Sequence, residues 1–213
     1  MLTLVLGITA AVFVVWLLFY MLAQKPQTGA QSLLQQRRYE EALRDAEQQI
    51  ARSPNDSSGH LHRAEAAKLM GRFDEAIRSY REVLRIDATD AAAREGIALS
   101  LTYLKRDPEE ARRIMEEALQ NYPQIQEFQA LALAFILLRE GRREEALRLF
   151  EDNLVLLETR FRDDYTDPDP LLADTLFQYA ELSAAAGDTS RANDLRQQLL
   201  QWAPGSIFAK WVV

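Results

Sequence analysis

The sequence predicts an all-α protein: a helical solenoid of about five helix pairs, preceded by a single transmembrane helix. Three observations carry that prediction. A short segment recurs as RRYEEAL (37–43), GRFDEAI (71–77), RDPEEAR (106–112), GRREEAL (141–147) and GDTSRAN (187–193). Each copy has an alanine at the same place, Ala42, Ala76, Ala111, Ala146 and Ala192, at intervals of 34, 35, 35 and 46 residues. The first 24 residues contain no charged side chain. A period near 34, with apolar helical spacing on either side of each turn, marks stacked helix pairs that cannot bury their apolar faces singly.

The register resembles the tetratricopeptide repeat (TPR), whose unit is two antiparallel helices, A and B. The second copy fits it best, with Ala64, Gly71, Phe73, Ala76 and Tyr80, though Ala88 stands where proline is usual. The fourth supplies Ala134, Gly141, Ala146 and Phe150, with Arg143 in place of the turn aromatic. The first contributes Tyr39, Ala42 and Pro54 but lacks the turn glycine. The third has Ala111, Ala118 and Pro123, with Arg106 at the glycine position. The fifth keeps Ala180, Gly187, Ala192 and Pro204 but has Arg196 where an aromatic is usual. The resemblance spans 28–205 and implies partner binding on a concave surface lined by A helices.

Taken in order, Leu2 to Ala23 is almost continuously apolar, and 22 residues at about 1.5 Å each span a bilayer's hydrocarbon core. Trp16 and Tyr20 stand near its end, where aromatic side chains anchor at headgroups. A cleaved signal peptide needs a basic start and a shorter apolar core, so an uncleaved anchor over 1–24 is the reading. Gly7 and Ala11 form a small-xxx-small pair suited to membrane-helix contact. Lys25, Arg37 and Arg38 follow the span, which predicts a cytoplasmic solenoid on a bacterial inner membrane, the periplasmic side being the alternative.

The solenoid is expected over 25–205, with repeats at 28–54, 57–88, 91–123, 124–157 and 171–204. Asp107-Pro108 reads as a helix start, with proline at the first position, where no backbone donor is needed. Residues 158–170 are the insertion that lengthens the last interval, read as a surface loop or extended helix end. Its aspartates Asp163, Asp164, Asp167 and Asp169 lack the spacing and glycine of a calcium loop. The apolar tail SIFAKWVV, 206–213, is expected to cap the fifth pair through Ile207, Phe208 and Trp211, since terminal repeats need a cap.

Chemistry is sparse. The chain has no cysteine, which removes disulfides and thiol catalysis. A net charge of −7 without a long basic run gives no nucleic-acid footprint. Phosphate loops, zinc-protease helices and nucleophile elbows are missing, so no enzyme, cofactor or metal is expected. His60 and His62, two apart, point in different directions and read as helix-surface residues. Glu40-Glu41, Glu109-Glu110 and Glu144-Glu145 recur at first turns of B helices, where acids favour the helix dipole.

Groove positions of helix A follow spacings of three, four and three. They are Ser58, Leu61, Glu65 and Lys68 in the second repeat, Ala93, Gly96, Ser100 and Tyr103 in the third, and Asp174, Phe177, Glu181 and Ala184 in the fifth. The fourth has Phe128, Leu131, Phe135 and Leu138, while Ala130, Leu133, Ala134 and Leu137 already supply the core. A helix apolar on two sides must hide both. The expected occupant is an apolar peptide or amphipathic helix of a partner protein, with Tyr103 at its edge. The competing expectation is that the insertion or the tail fills this groove. The functional expectation is a membrane-anchored interaction scaffold or assembly factor, or alternatively an accessory subunit held permanently in a membrane complex.

Overall fold

The computed structural model describes residues 29–121, 126–164 and 169–213. Eleven α-helices and no strand occur among them. The first repeat pairs α1 (Ala30–Gln35) with α2 (Tyr39–Arg52); the second, α3 (Ser57–Leu69) with α4 (Phe73–Ile86). The third pairs α5 (Ala91–Tyr103) with α6 (Pro108–Asn121), and the fourth α7 (Gln126–Arg139) with α8 (Arg143–Asp164). A 3₁₀ turn, Pro170–Leu172, leads to α9 (Ala173–Ala186), α10 (Thr189–Trp202) and the short α11 (Ile207–Val212). The anchor expected over 1–24, with Gly7 and Ala11, lies outside the described residues. Among the described residues no helix is long and apolar enough to cross a membrane.

The two helix types follow from their patterns. The B helices α2, α4 and α6 bury one stripe each, such as Phe73, Ala76, Ile77, Tyr80 and Val83 in α4. The A helices α5, α7 and α9 are covered on most sides: residues 129–137 of α7 are buried without a break. B helices cover one side of them, and neighbouring A helices pack against another. Repeat alanines Ala42, Ala76, Ala111, Ala146 and Ala192 are all fully buried, since each sits where two helices approach too closely for a larger side chain. Gly96 serves the same end across a repeat boundary. A β-carbon there would overlap the Tyr80 ring, which is itself fully buried.

Each A–B turn closes with a residue in the left-handed region: Arg37 (φ 64°), Gly71 (77°), Lys105 (53°), Gly141 (83°) and Gly187 (93°). The amides around it cap the A helix, as Gly71 N donates to Lys68 O and Arg72 N to Ala67 O. In the third repeat this position belongs to Lys105, one residue before the Arg106 expected from the spacing. Lys105 N donates to Thr102 O and Arg106 N to Leu101 O. The third turn is therefore one residue longer, and Asp107 is left-handed as well (φ 45°). Pro108 opens α6 as its missing donor predicts.

The insertion also differs from a simple loop. Helix α8 runs for 22 residues, against 14 in α4, so the first part of 158–170 prolongs the helix rather than leaving it. Val155 and Leu156 project from it, 73% and 57% exposed. Asp169 then accepts from Leu171 N at 3.0 Å and restarts the chain.

The stack closes on itself. The Arg37 guanidinium donates to Trp202 O at 2.7 Å and to Gln201 O at 3.1 Å, so the first turn grips the C-terminal end of α10, where the helix dipole favours a cation.

Candidate functional site

Some of the predicted groove positions, Lys68, Tyr103, Phe135, Asp174 and Phe177, meet around a hollow that the chain fills itself, whereas Glu181 bonds Arg196 of α10 and Gly96 packs against Tyr80 of α4. Helix α11 starts at Ser206, whose hydroxyl accepts from Ala209 N at 3.1 Å, and lies against the A helices rather than only on the fifth pair. Phe208 is fully buried. Its ring lies 5.3 Å from Tyr103, 5.9 Å from Phe177 and 6.4 Å from Phe73. Trp211 lies 5.4 Å from both Tyr103 and Phe177 and 5.9 Å from Phe73, yet stays 43% exposed. Ile207 rests on the second turn, where a β-carbon on Gly71 would meet its Cγ1 at 2.9 Å. The tail thus reaches the second and third repeats as well as the fifth, which it was expected to cap.

Phe135 and Leu131 are buried on the opposite wall, with Phe135 5.7 Å from Tyr103 and 5.9 Å from Phe177. Phe128 is partly buried against the same core. Leu138 is partly buried too, but lines a separate cleft between the third and fourth repeats. Of the five residues offered as a binding surface, Phe135 and Tyr103 therefore join the hollow's aromatic cluster, and Leu131 is buried in the core.

Beside the aromatic cluster runs a buried polar chain that joins repeats far apart in sequence. Tyr80 donates to Glu65 at 2.5 Å. Lys68 Nζ sits 3.1 Å from Glu65 and 3.3 Å from Asp174. Asp174 also accepts from the Tyr103 hydroxyl and, at 2.8 Å, from Gln178 Nε2. Burial opposes the Lys68 charge, but Glu65, Tyr80, Asp174 and Glu95 outweigh it and hold the ammonium well above its ordinary range. Burial raises the Tyr103 hydroxyl, reinforced by the Asp174 charge and hydrogen bond. Glu95 is pushed up to about 7 by burial, with Lys68 opposing and Asp174 and Glu65 adding to the shift. Such a chain braces the closed stack: removing one member of a buried ion pair costs about 3–5 kcal/mol because the other is left uncompensated.

The histidines differ from a surface reading. His60 is 7% exposed, with Nε2 3.2 Å from Pro54 O, while His62 is half-buried and shifted down by burial. No group of three metal-ligating side chains occurs among the described residues.

Residues 28–91 and 70–124 match the family model described as tetratricopeptide repeat, so this part of the chain carries TPR repeats. Solved structures extend the likeness along the solenoid. PilW, described as a widely conserved type IV pilus biogenesis factor, is 18% identical, with TM-score 0.55 over 86% of this chain and 94% of that one. A thermophilic TPR protein of Thermus thermophilus is 17% identical, with TM-score 0.56 over 82% and 88%. A MamA protein is 13% identical, with TM-score 0.52 over 82% and 88%. At these identities the likeness is one of fold. No curated protein matches the sequence.

Proposed function

We propose that this chain is a membrane-anchored protein-interaction scaffold that receives an amphipathic helix of a partner in the hollow now occupied by α11. One observation carries the reading: a six-residue helix is already seated there by its aromatic face, with Phe208 fully buried against three rings and Trp211 still 43% exposed. The hollow is a receptor for a short helix with large apolar residues three apart, and a partner helix with that spacing competes for the same rings. TPR repeats over 28–124 support a scaffold rather than a catalyst. The uncharged stretch 2–23 supports the anchor, and the basic residues after it support a cytoplasmic solenoid.

A second reading, a permanent accessory subunit, draws on a different observation. If α11 never leaves, contacts fall on the outer surface, where Val155 and Leu156 of the long helix α8 are exposed. Photo-crosslinking residues placed at 211 and at 155 in the full membrane-bound chain separate the two. Crosslinks from 211 to another protein support helix exchange. Crosslinks to another protein from 155, with only internal products from 211, contradict exchange and favour the subunit. Protease added outside intact cells spares a cytoplasmic solenoid, and digestion there reverses the orientation.

A further inference from the structure

The polar chain beside the hollow is short of donors. Three carboxylates, Glu65, Glu95 and Asp174, share one cation, Lys68, whose ammonium lies 3.1 Å from Glu65 and 3.3 Å from Asp174. Neither Glu65 nor Asp174 has another ion pair among the described residues, and no second basic side chain acts on Glu95. Three carboxylates against one ammonium leave a formal excess of two negative charges. The neutral donors do not use up the acceptors. Tyr80 donates to Glu65, and Tyr103 and Gln178 both donate to Asp174 Oδ1. Asp174 Oδ2 and Gln178 Oε1 accept no hydrogen bond, although these side chains belong to residues only 2% and 1% exposed. The Glu95 carboxyl, half-buried, makes no hydrogen bond or ion pair among the described residues.

Tyr103 joins this acidic group to the aromatic seat. Its ring lies 5.3 Å from Phe208 and 5.4 Å from Trp211, and its hydroxyl donates to Asp174. Asp174 stands one helical turn before Phe177 on α9, so the acids begin where the rings end. Helix α11 uses only the rings. Its one cation, Lys210, is exposed and makes no ion pair or hydrogen bond among the described residues. Six residues make α11 about 9 Å long, whereas Glu95 lies about 12 Å back along α5 from Tyr103. The tail therefore fills the rings and leaves the acceptors without a donor.

We propose that the partner helix received in this hollow carries an arginine or lysine whose cationic head enters the acidic group and donates to Asp174, Gln178 and Glu95. This rests on the helix-exchange reading and deepens it, adding the partner's charge to its aromatic spacing. A cation brought there meets the excess negative charge away from bulk water, where charge-assisted hydrogen bonds are stronger than at an open surface. An acidic side chain in the same place meets carboxylates that lack a counter-ion, so the hollow rejects acidic helices with the same aromatic pattern. The same chemistry separates partner from tail. Both fill the rings, but only a basic helix satisfies the acids, and that difference in affinity is what exchange requires.

The test is fluorescence anisotropy of labelled helical peptides added to the full chain in mild detergent. All share the Phe-x-x-Trp spacing of α11 on an alanine-rich background, and each carries a single arginine, glutamine or glutamate walked through the remaining positions. Arginine should raise affinity over glutamine by about five-fold or more at one or two positions on one face, and glutamate should lower it there. Glu95→Gln, which leaves no charge behind, should cut that arginine gain to within about two-fold while leaving the glutamine peptides unchanged. Phe177→Leu should instead weaken every peptide alike. If the glutamine peptides bind and arginine is no better at any position, the proposal is overturned and helix exchange stands. An equal arginine gain at every position overturns it in favour of general attraction to a chain of net charge −7. A positional gain that Glu95→Gln leaves intact overturns it too, and binding by no peptide overturns both this proposal and helix exchange.

Discussion

The concave hollow and the cleft between the third and fourth repeats are both gaps in one stack of helices, and the chain treats them in opposite ways. The hollow is filled by α11, and its charges pair with one another: Lys68 lies between Glu65 and Asp174, and Tyr103 and Gln178 both donate to Asp174 Oδ1. The cleft has no covering segment among the described residues, and Lys105 faces it without an acidic partner, while Arg112 lies 3.9 Å from Glu116. Where a region's polar groups are paired within the chain, substitution is paid for in stability. Where they are not, substitution registers in binding and barely in stability.

That contrast orders the expected outcomes. Phe135→Glu places a charge at a fully buried position beside Tyr103 and Phe177, and a thermal melt should show a loss above about 4 kcal/mol. A small effect would mean the hollow is an open surface. Lys68→Met strands the buried Asp174 carboxylate and should cost about 3–5 kcal/mol, most of it recovered when Glu65 and Asp174 are also made apolar. Failure of that recovery would show that the network holds the repeats by more than charge balance.

Glu95 gives a smaller effect with a defined sign. Its carboxyl is pushed up from 4.5 to about 7, so the folded state holds the proton more tightly than the unfolded chain. The resulting stability is fully present below pH 4.5 and is lost as pH rises through 7. Melts of the natural chain should fall across that window, and Glu95→Gln should remove most of the fall. An unchanged pH profile would place Glu95 in water rather than beside Lys68 and Asp174. The smallest effect is expected in the cleft, where Lys105→Gln should shift stability by no more than about 0.5 kcal/mol.

The repeat architecture was legible because a buried alanine marks every pair, and helix-A spacing identified Lys68, Tyr103, Asp174 and Phe177 as sharing one face. Three features were not. Lys105 takes the left-handed position that glycine holds in the second, fourth and fifth repeats, so the longer third turn left no compositional trace. The prolongation of α8 follows from residues that suit a helix end or a loop equally. Closure depends on Arg37 meeting Trp202 and Gln201 across 165 and 164 residues, and no local pattern encodes a contact at that separation. The apolar tail announced that it would be covered, but only the closed stack determines that it lies against Phe73, Tyr103 and Phe177 together.

The central claim, that α11 fills the concave hollow, is tested most directly by a double-mutant cycle on Phe177 and Phe208, whose rings lie 5.9 Å apart. Denaturant unfolding of Phe177→Leu, Phe208→Leu and the pair should give a coupling of about 0.5–1.5 kcal/mol, the value of an aromatic contact beyond its buried area. Additive losses, with coupling below about 0.3 kcal/mol, would place the tail elsewhere and leave the hollow open.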